Sequence, residues 1–529
     1  MEKQLNPGET YDVLIVGGGV VGLSAALFLL QQGIKPLLVE RHKGTSIHPR
    51  ARGFDIRTME LYRELGLGEA IREAGKALAP AWGILKDDSL ASALRKRKPS
   101  KKGGPEKLFG REGLSGLSPT TGARCTQDLS EPVLLAAARE RGADIRFYTE
   151  MVSFTQDDMG VSAVIHDRDS GMERVVRAQY LLACDGAKSP VRSVLQATTM
   201  GRGAISSLLN IYFEAPLGAH VRGREFSILL IKKPHLRGML TAINNDDRWV
   251  FHLFQDKKDH NEEEIKGVLR EVMGIPGMDV RIISILPWQP TIKVVENMQH
   301  GRVFLAGDAA HVMTPYGGKG ANTGVQDVHN LAWKLAAVLK GQADPALLGT
   351  YSRERQPIGL RNALRSGQWA DKYGLLKRSV PMVLSMIGWV LVIRLLKLLR
   401  LRALALKAAW RGIGDLLGLP VYRYGVGVRH GEGVRLPHWW IRDGVSTLDL
   451  AGKEFFVLTG EAGVAWEEAA RSMGIRVHNM GALYKKLGIS RDGALLVRPD
   501  GFIHWKSKSR TENPAAALKG ALQTLFIQS

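Results

Sequence analysis

The sequence predicts an α/β protein: a Rossmann-like nucleotide-binding domain interleaved with an antiparallel-sheet domain, then a further α/β unit at the C-terminus. Three observations lead there. Apolar runs end in glycine-bearing turns at Gly17, at Asp185-Gly186 and at Gly307-Asp308, each followed by helix-like spacing. Between the last two, residues 206–290 alternate as strands do, with few helix signals before Glu262–Met273. Beyond residue 424, strand-like KEFFVLTG and ALLVRPDGFIHWK alternate with helical segments. The chain has 529 residues, too many for one core. Its 45% hydrophobic and 24% charged content is that of an ordinary globular protein. Two cysteines, Cys125 and Cys184, exclude a disulfide scaffold and fit a reducing compartment. The opening MEKQLNPGET lacks a signal-peptide pattern, so the expected location is cytoplasmic. A net charge of +21 calls for anionic cofactors, an acidic partner or an anionic membrane.

Residues 11–41 read as strand, tight turn, helix and strand. Gly17, Gly19 and Gly22 form GxGxxG directly after Val13–Val16, and Glu40 closes the second strand. The glycines allow a tight turn, backbone approach to a pyrophosphate and helix–strand packing, while an acid at that distance accepts from ribose hydroxyls. A dinucleotide is implied, without a choice between flavin and nicotinamide. Arg50, Arg52 and Arg57 follow and suit pyrophosphate pairing. From Ala81 to Thr121 the pattern weakens; RKRKPSKKGG reads as a flexible surface loop, and without interleaved aromatics it is no nucleic-acid patch.

Residues 127–148 predict a helix and a strand, and Met151–Phe154 and Val161–His166 two more strands. YLLACDGAKSPVRSVL then repeats the strand-into-acid theme at Asp185, with Ser189 and Arg192 opening a helix. The third such unit, 303–335, places Asp308 at a strand's end, where a carboxylate suits a sugar or ribityl hydroxyl better than a phosphate. Its glycine-dense loop, Pro315 to Gly324, precedes a helix whose N-terminus favours an electron-rich ligand. Three loops of this kind converging on one ligand are more specific than any one alone. Between Lys372 and Gly414 nine Lys or Arg occur with no acid. The uncharged run there has fifteen residues, short of the roughly 20 needed to span a bilayer. Residues 380–411 therefore read as a basic amphipathic helix, with one reading as peripheral contact to an anionic membrane.

Together GxGxxG, CDGAKSPVR and GRVFLAGDAAH with PYGGKGAN resemble the single-component class A flavoprotein aromatic hydroxylases typified by p-hydroxybenzoate hydroxylase. RLPHWW, DGVSTLDLAG and LLVRPDGFIHW resemble the thioredoxin-like C-terminal domain of the larger members, the phenol and aromatic polyketide hydroxylases of secondary metabolism. The resemblance implies an FAD domain over 1–80, 120–200 and 296–370, and a substrate sheet over 81–119 and 201–295. The basic insert covers 371–423 and the thioredoxin-like domain 424–529. It implies FAD on Gly17, Gly19, Gly22, Glu40, Arg41, Arg52, Gln127, Asp185, Asp308, Gly318, Gly320, Ala321 and Asn322, and no metal. Pro315, whose carbonyl would lie near the reactive oxygen, and Arg52 stand as candidate catalytic residues. Tyr316 replaces a residue that is often smaller in the family. NAD(P)H as co-substrate, O2 and a phenolic, polyketide-like or other lipophilic aromatic substrate follow, with oxygen delivered from a flavin C4a-hydroperoxide. A homodimer is compatible with this. Rival readings are a membrane-associated flavin reductase acting on a quinone, and an epoxidase or Baeyer–Villiger variant of the fold. The base for a phenolic substrate is unassigned; His252 and His235 are candidates.

Overall fold

The computed structural model describes residues 8–78, 83–97, 118–254, 260–377 and 433–527. The basic stretch 380–411 and most of RKRKPSKKGG lie outside them. In chain order, β1 (Thr10–Val16), α1 (Val20–Gln31), β2 (Leu37–Glu40) and α2 (Ile56–Glu64) open the protein. Next come β3 (Ile84–Asp87), α3 (Leu90–Lys96), α4 (Gln127–Glu140), β4 (Asp144–Phe147), β5 (Thr149–Asp157), β6 (Gly160–Asp167) and β7 (Glu173–Ala183). The middle of the chain forms β8 (Leu208–Glu214), β9 (Ile228–Lys232), β10 (Arg237–Ala242), β11 (Arg248–Phe254), α5 (Glu262–Met273) and β12 (Arg281–Trp288). β13 (Val303–Leu305), α6 (Gly320–Leu339) and α7 (Gly349–Gln368) follow. The C-terminal part contributes β14 (Phe456–Thr459), β15 (Arg476–Asn479), β16 (Ala494–Val497) and β17 (Ile503–Ser507).

The first sheet runs β13-β7-β1-β2-β4, all parallel, with the β5–β6 hairpin joined antiparallel to the start of β7. Its register places the three motif loops together. Val16 pairs Ala183, Ala183 pairs Leu305, and Val16 pairs Val39, so Gly17, Cys184, Ala306 and Glu40 emerge side by side at one carboxyl edge. That edge is where ligands bind in open α/β sheets. α1 and α6 pack together on this sheet, and the core between them includes Leu23, Leu27, Val325 and Leu331.

The second sheet runs β12-β8-β11-β10-β9-β3. Leu209, Ile211, Phe213, Trp249, Phe251 and Leu253 face one core, which α3 and α5 cover. The period of two turns Asn210, Tyr212, Val250 and His252 to the opposite face, towards the first sheet's loops. The flexible loop expected from Ala81 is corrected here. Ile84–Asp87 pairs parallel with β9, and α3 follows with Ser89 accepting from Ser92 N–H as its cap. ILKD is too short and too charged to announce an edge strand.

The C-terminal sheet runs β15-β14-β16-β17, with helices Val464–Ser472 and Pro514–Ile527 packed together beside it. Among the described residues no helix is long and apolar enough to cross a membrane.

Candidate active site

At the end of β1 the chain turns through Gly17 at φ +107°, where an added Cβ would lie 2.4 Å from Cys184 O. A Cβ on Gly22 would lie 1.9 Å from Gly17 O, so α1 rests directly on the turn. Gly19 caps α1 with no side-chain bond. Glu40 accepts from Gly18 N–H at 2.6 Å and from His42 N–H at 2.9 Å. A buried carboxylate stands at the head of α1: Glu131 accepts from Val20 N–H at 3.1 Å, Ser46 N–H at 2.7 Å and Gln127 Nε2 at 2.6 Å. Burial raises its pKa above the ordinary carboxylate value. Thus the Gln127 side chain orients Glu131, a residue that the sequence motifs do not mark although the two share a helix face at i,i+4. Arg41 is exposed.

The other two loops are tied by Arg192. Its guanidinium donates to Ala309 O at 2.9 Å, Asp308 O at 3.3 Å and Ala187 O at 2.6 Å. Asp185 Oδ2 accepts from Val191 N–H at 3.1 Å, while its Oδ1 is buried with no partner among the described residues. The carboxylate of Asp308 is open to the cleft yet ringed by protein, and this desolvation raises its pKa despite His311, Arg50 and Arg192. Beneath it lies a buried triad. Asp327 accepts from His311 Nε2 at 2.6 Å, Arg355 Nε at 2.8 Å and Gly307 N–H at 3.2 Å. Burial opposes both charges, but the pairing wins: the His311 pKa is raised and that of Asp327 lowered. This triad fixes the turn that presents Asp308.

Gly317 and Gly318 take φ +85° and +61°, which carry the loop from Pro315 into α6. Asn322 holds the loop through its side chain: Asp55 N–H donates to its Oδ1 at 2.9 Å, and its Nδ2 donates to Gly318 O at 2.7 Å. The amides from Gly320 to Asn322 open a twenty-residue helix with no acid in its first turn and no side-chain cap. Pro315 is exposed; Tyr316 is buried and donates to Gly374 O at 2.7 Å. Leu375 and Leu376 pack with Tyr316, Leu208, Leu230 and Met239 as an apolar wall above the loop.

The facing sheet carries a polar strip between that wall and a second apolar patch containing Tyr212, Ile243 and Val250. Arg52 donates to Ser227 Oγ at 3.1 Å and to the Ser227 and Ala242 carbonyls, both at 3.3 Å, so its side chain reaches from the nucleotide domain onto the sheet. Burial, with Arg124 nearby, lowers its pKa to about 10. His48 is buried beside the Tyr212 ring, with neither ring nitrogen partnered among the described residues. Burial, then Arg50, pulls its pKa to about 4. His252 bonds Asn210 Oδ1 through Nδ1 at 2.5 Å. Burial, then Arg52 and His48, lowers its pKa to about 3. Nothing in the sequence marks His48, because only the fold leaves it unpartnered. Of the proposed bases, His235 is exposed and paired with Glu271 of α5, on the far side of the sheet. Arg57 is also misplaced for a pyrophosphate: it is buried against Glu60 and donates to Asp500 O in the C-terminal unit.

A cavity of about 390 Å³ lies elsewhere, between Arg63, Arg72, Ser118 and Trp440. It contains none of the three motif loops. The FAD-binding-domain family model matches residues 10–366, and the C-terminal model of aromatic-ring hydroxylases matches 430–528. The chain belongs to the FAD-dependent aromatic-ring hydroxylases. It is 37% identical to the tetracenomycin A2 monooxygenase-dioxygenase of Streptomyces glaucescens, over 98% of both chains. It is also 37% identical to the 4-methyl-5-nitrocatechol 5-monooxygenase of a Burkholderia species, over 98% of this chain and 97% of that one. The solved ternary complex of aklavinone-11 hydroxylase with FAD and aklavinone is similar at TM-score 0.79 and 29% identity, covering 99% of this chain and 100% of that one. The residues of this hydroxylase fit the cofactor. The Gly17 turn leaves backbone bare, Asp185 Oδ1 has no protein partner among the described residues, Asp308 faces open cleft, and the uncapped start of α6 suits an electron-rich ring edge.

Proposed function

We propose that this flavoprotein monooxygenase inserts one oxygen atom into a phenolic ring, with His48 accepting the proton of the ring hydroxyl. The observation that carries the reading is His48 itself: buried where the cofactor loops meet the sheet, with both ring nitrogens unpartnered among the described residues. FAD, when bound, supplies hydride acceptance from NAD(P)H and activation of O2. The chain's own contribution is position and charge. Gly17, Gly19, Gly22 and Glu40 hold the dinucleotide, Asp185 and Asp308 take its hydroxyls, and the amides of Gly318–Asn322 stabilise negative charge. Arg41 and Gln127 stand as outer contacts, and the Pro315 carbonyl borders the reacting face.

A neutral imidazole accepts the phenolic hydrogen bond, and full transfer creates an imidazolium beside a phenolate. That new pair, with Arg52 close to the same strip, offsets the desolvation that otherwise keeps His48 uncharged. A phenolate ring is richer in electrons and more readily attacked by an electrophilic oxygen. The apolar walls around Tyr316 and Tyr212 take the carbon skeleton and exclude water. The similarity to enzymes named for tetracenomycin and nitrocatechol substrates supports an oxygenated aromatic.

His48→Leu tests this with whichever phenol most accelerates NAD(P)H consumption. Loss of general acid–base assistance should lower hydroxylated product formation about 10²-fold or more. FAD content should stay at wild-type level, because His48 is not among the cofactor contacts. Wild-type turnover of that phenol in His48→Leu would refute the assignment.

A further inference from the structure

We infer that His252, oriented by Asn210, is a second oxygen-recognition point, so that the substrate is an aromatic carrying two hydroxyl groups: the one whose proton His48 accepts, and another that donates to His252 Nε2. The inference rests on the hydroxylation reading above and names its substrate class.

Strand parity is the first support. His252 lies on β11 between Val250 and Phe254, which belong to the two apolar patches on the cleft side of the sheet, while Phe251 and Leu253 face the opposite core. It is therefore placed where a planar substrate would span from one patch to the other. The second support is hydrogen-bond chemistry. Asn210 sits directly opposite on β8, and its amide oxygen, 2.5 Å from His252 Nδ1, can only accept. Nδ1 therefore carries the hydrogen, and Nε2 is left with its lone pair and with no partner among the described residues. The Trp288 ring, 5.8 Å from the imidazole centroid to centroid, sits against one side of it and limits its rotation.

Electrostatics sets which oxygen function fits. Burial and the adjacent Arg52 hold His252 uncharged, and His48 is uncharged for the same main reason. Two neutral acceptors match two O–H donors. A carboxylate substituent would find no donor at His252 Nε2, because the ring hydrogen is on Nδ1. Arg52, the cation beside His252, donates to Ser227 and Ala242. His252 has one ring nitrogen satisfied among the described residues, which leaves Nε2 open to a ligand.

The test is an anaerobic titration of the FAD-loaded enzyme, read from the flavin absorbance, with 1-naphthol and with 1,2-, 1,3- and 1,8-dihydroxynaphthalene. At least one diol should bind about tenfold more tightly than 1-naphthol, as one additional well-placed hydrogen bond allows. His252→Phe should bring that diol down to the affinity of 1-naphthol. Asn210→Leu, which frees the tautomer, should weaken the same preference and add nothing in the His252→Phe background. Absence of any diol preference in the wild type, or a preference that survives His252→Phe, overturns the inference. The hydroxylation reading fails separately, if no aromatic gains an oxygen atom during NAD(P)H consumption.

Discussion

Asp308 owes its usefulness to what stands behind it. The Asp327–His311–Arg355 triad fixes the Gly307 turn, so a change at Asp308 would remove the proposed FAD contact without removing its support. Asp308→Ala should therefore fold normally, yet lose a charge-assisted hydrogen bond of roughly 1.5–3 kcal/mol, about ten- to hundredfold in FAD affinity. Titration of the apoprotein by flavin fluorescence quenching reads this out, and unchanged affinity would remove Asp308 from the site. Residues of this kind are legible in the sequence because a strand, an acid and a glycine are contiguous there. Glu131 and His48 are not. The role of Glu131 arises from Val20 and Ser46, both more than eighty positions away in the chain, and that of His48 from its lack of a partner among the described residues. Arg57 shows the opposite failure: its position near the nucleotide motif suggests a phosphate, but the fold turns it towards Asp500.

Between elements, the close contacts are those that periodicity cannot express. α1 sits so closely on the β1 turn that the Cβ of Gly22→Val would meet Gly17 O at 1.9 Å. That variant should lose stoichiometric FAD by displacing the helix end from the pyrophosphate's place, and a yellow, fully loaded Gly22→Val protein would contradict it. A second junction joins the C-terminal unit to the cofactor helices. Arg498, 1% exposed, pairs with Glu354 of α7 at 2.8 Å and with Asp500 at 2.5 Å, while Asp500 also accepts from Asn330 of α6 and, through its carbonyl, from Arg57 of α2. Burial works to raise the Glu354 carboxyl, but Arg498 and Lys334 hold it at about 2. Arg498→Met leaves that carboxylate without its main partner and should cost about 3–5 kcal/mol, seen as a lower denaturant midpoint. Adding Glu354→Leu should recover part of the loss; no destabilisation in the single variant would show that the junction is unimportant. The sequence shows a separate α/β tail but not this bond, because RPDG reads locally as a turn. Strand β3 escapes for a related reason: it is defined by its pairing with β9, across more than a hundred residues.

At the scale of the whole molecule, the parallel sheet lays three loops along one edge, the second sheet closes over them with a polar strip between apolar walls, and the C-terminal unit braces the helices behind. That arrangement supports oxygen transfer to a bound ring rather than electron transfer to a quinone, since the imidazoles of His48 and His252 offer free nitrogens to a substrate's hydroxyls. The measurement that tests this most directly is product analysis under ¹⁸O2, with NAD(P)H and a panel of phenols and naphthalene diols. The ring compound that most accelerates flavin reduction should appear with one added ¹⁸O atom, for each NAD(P)H consumed in coupled turnover. A panel in which NAD(P)H is oxidised, yet every recovered aromatic lacks ¹⁸O, would contradict the assignment and leave a reductase.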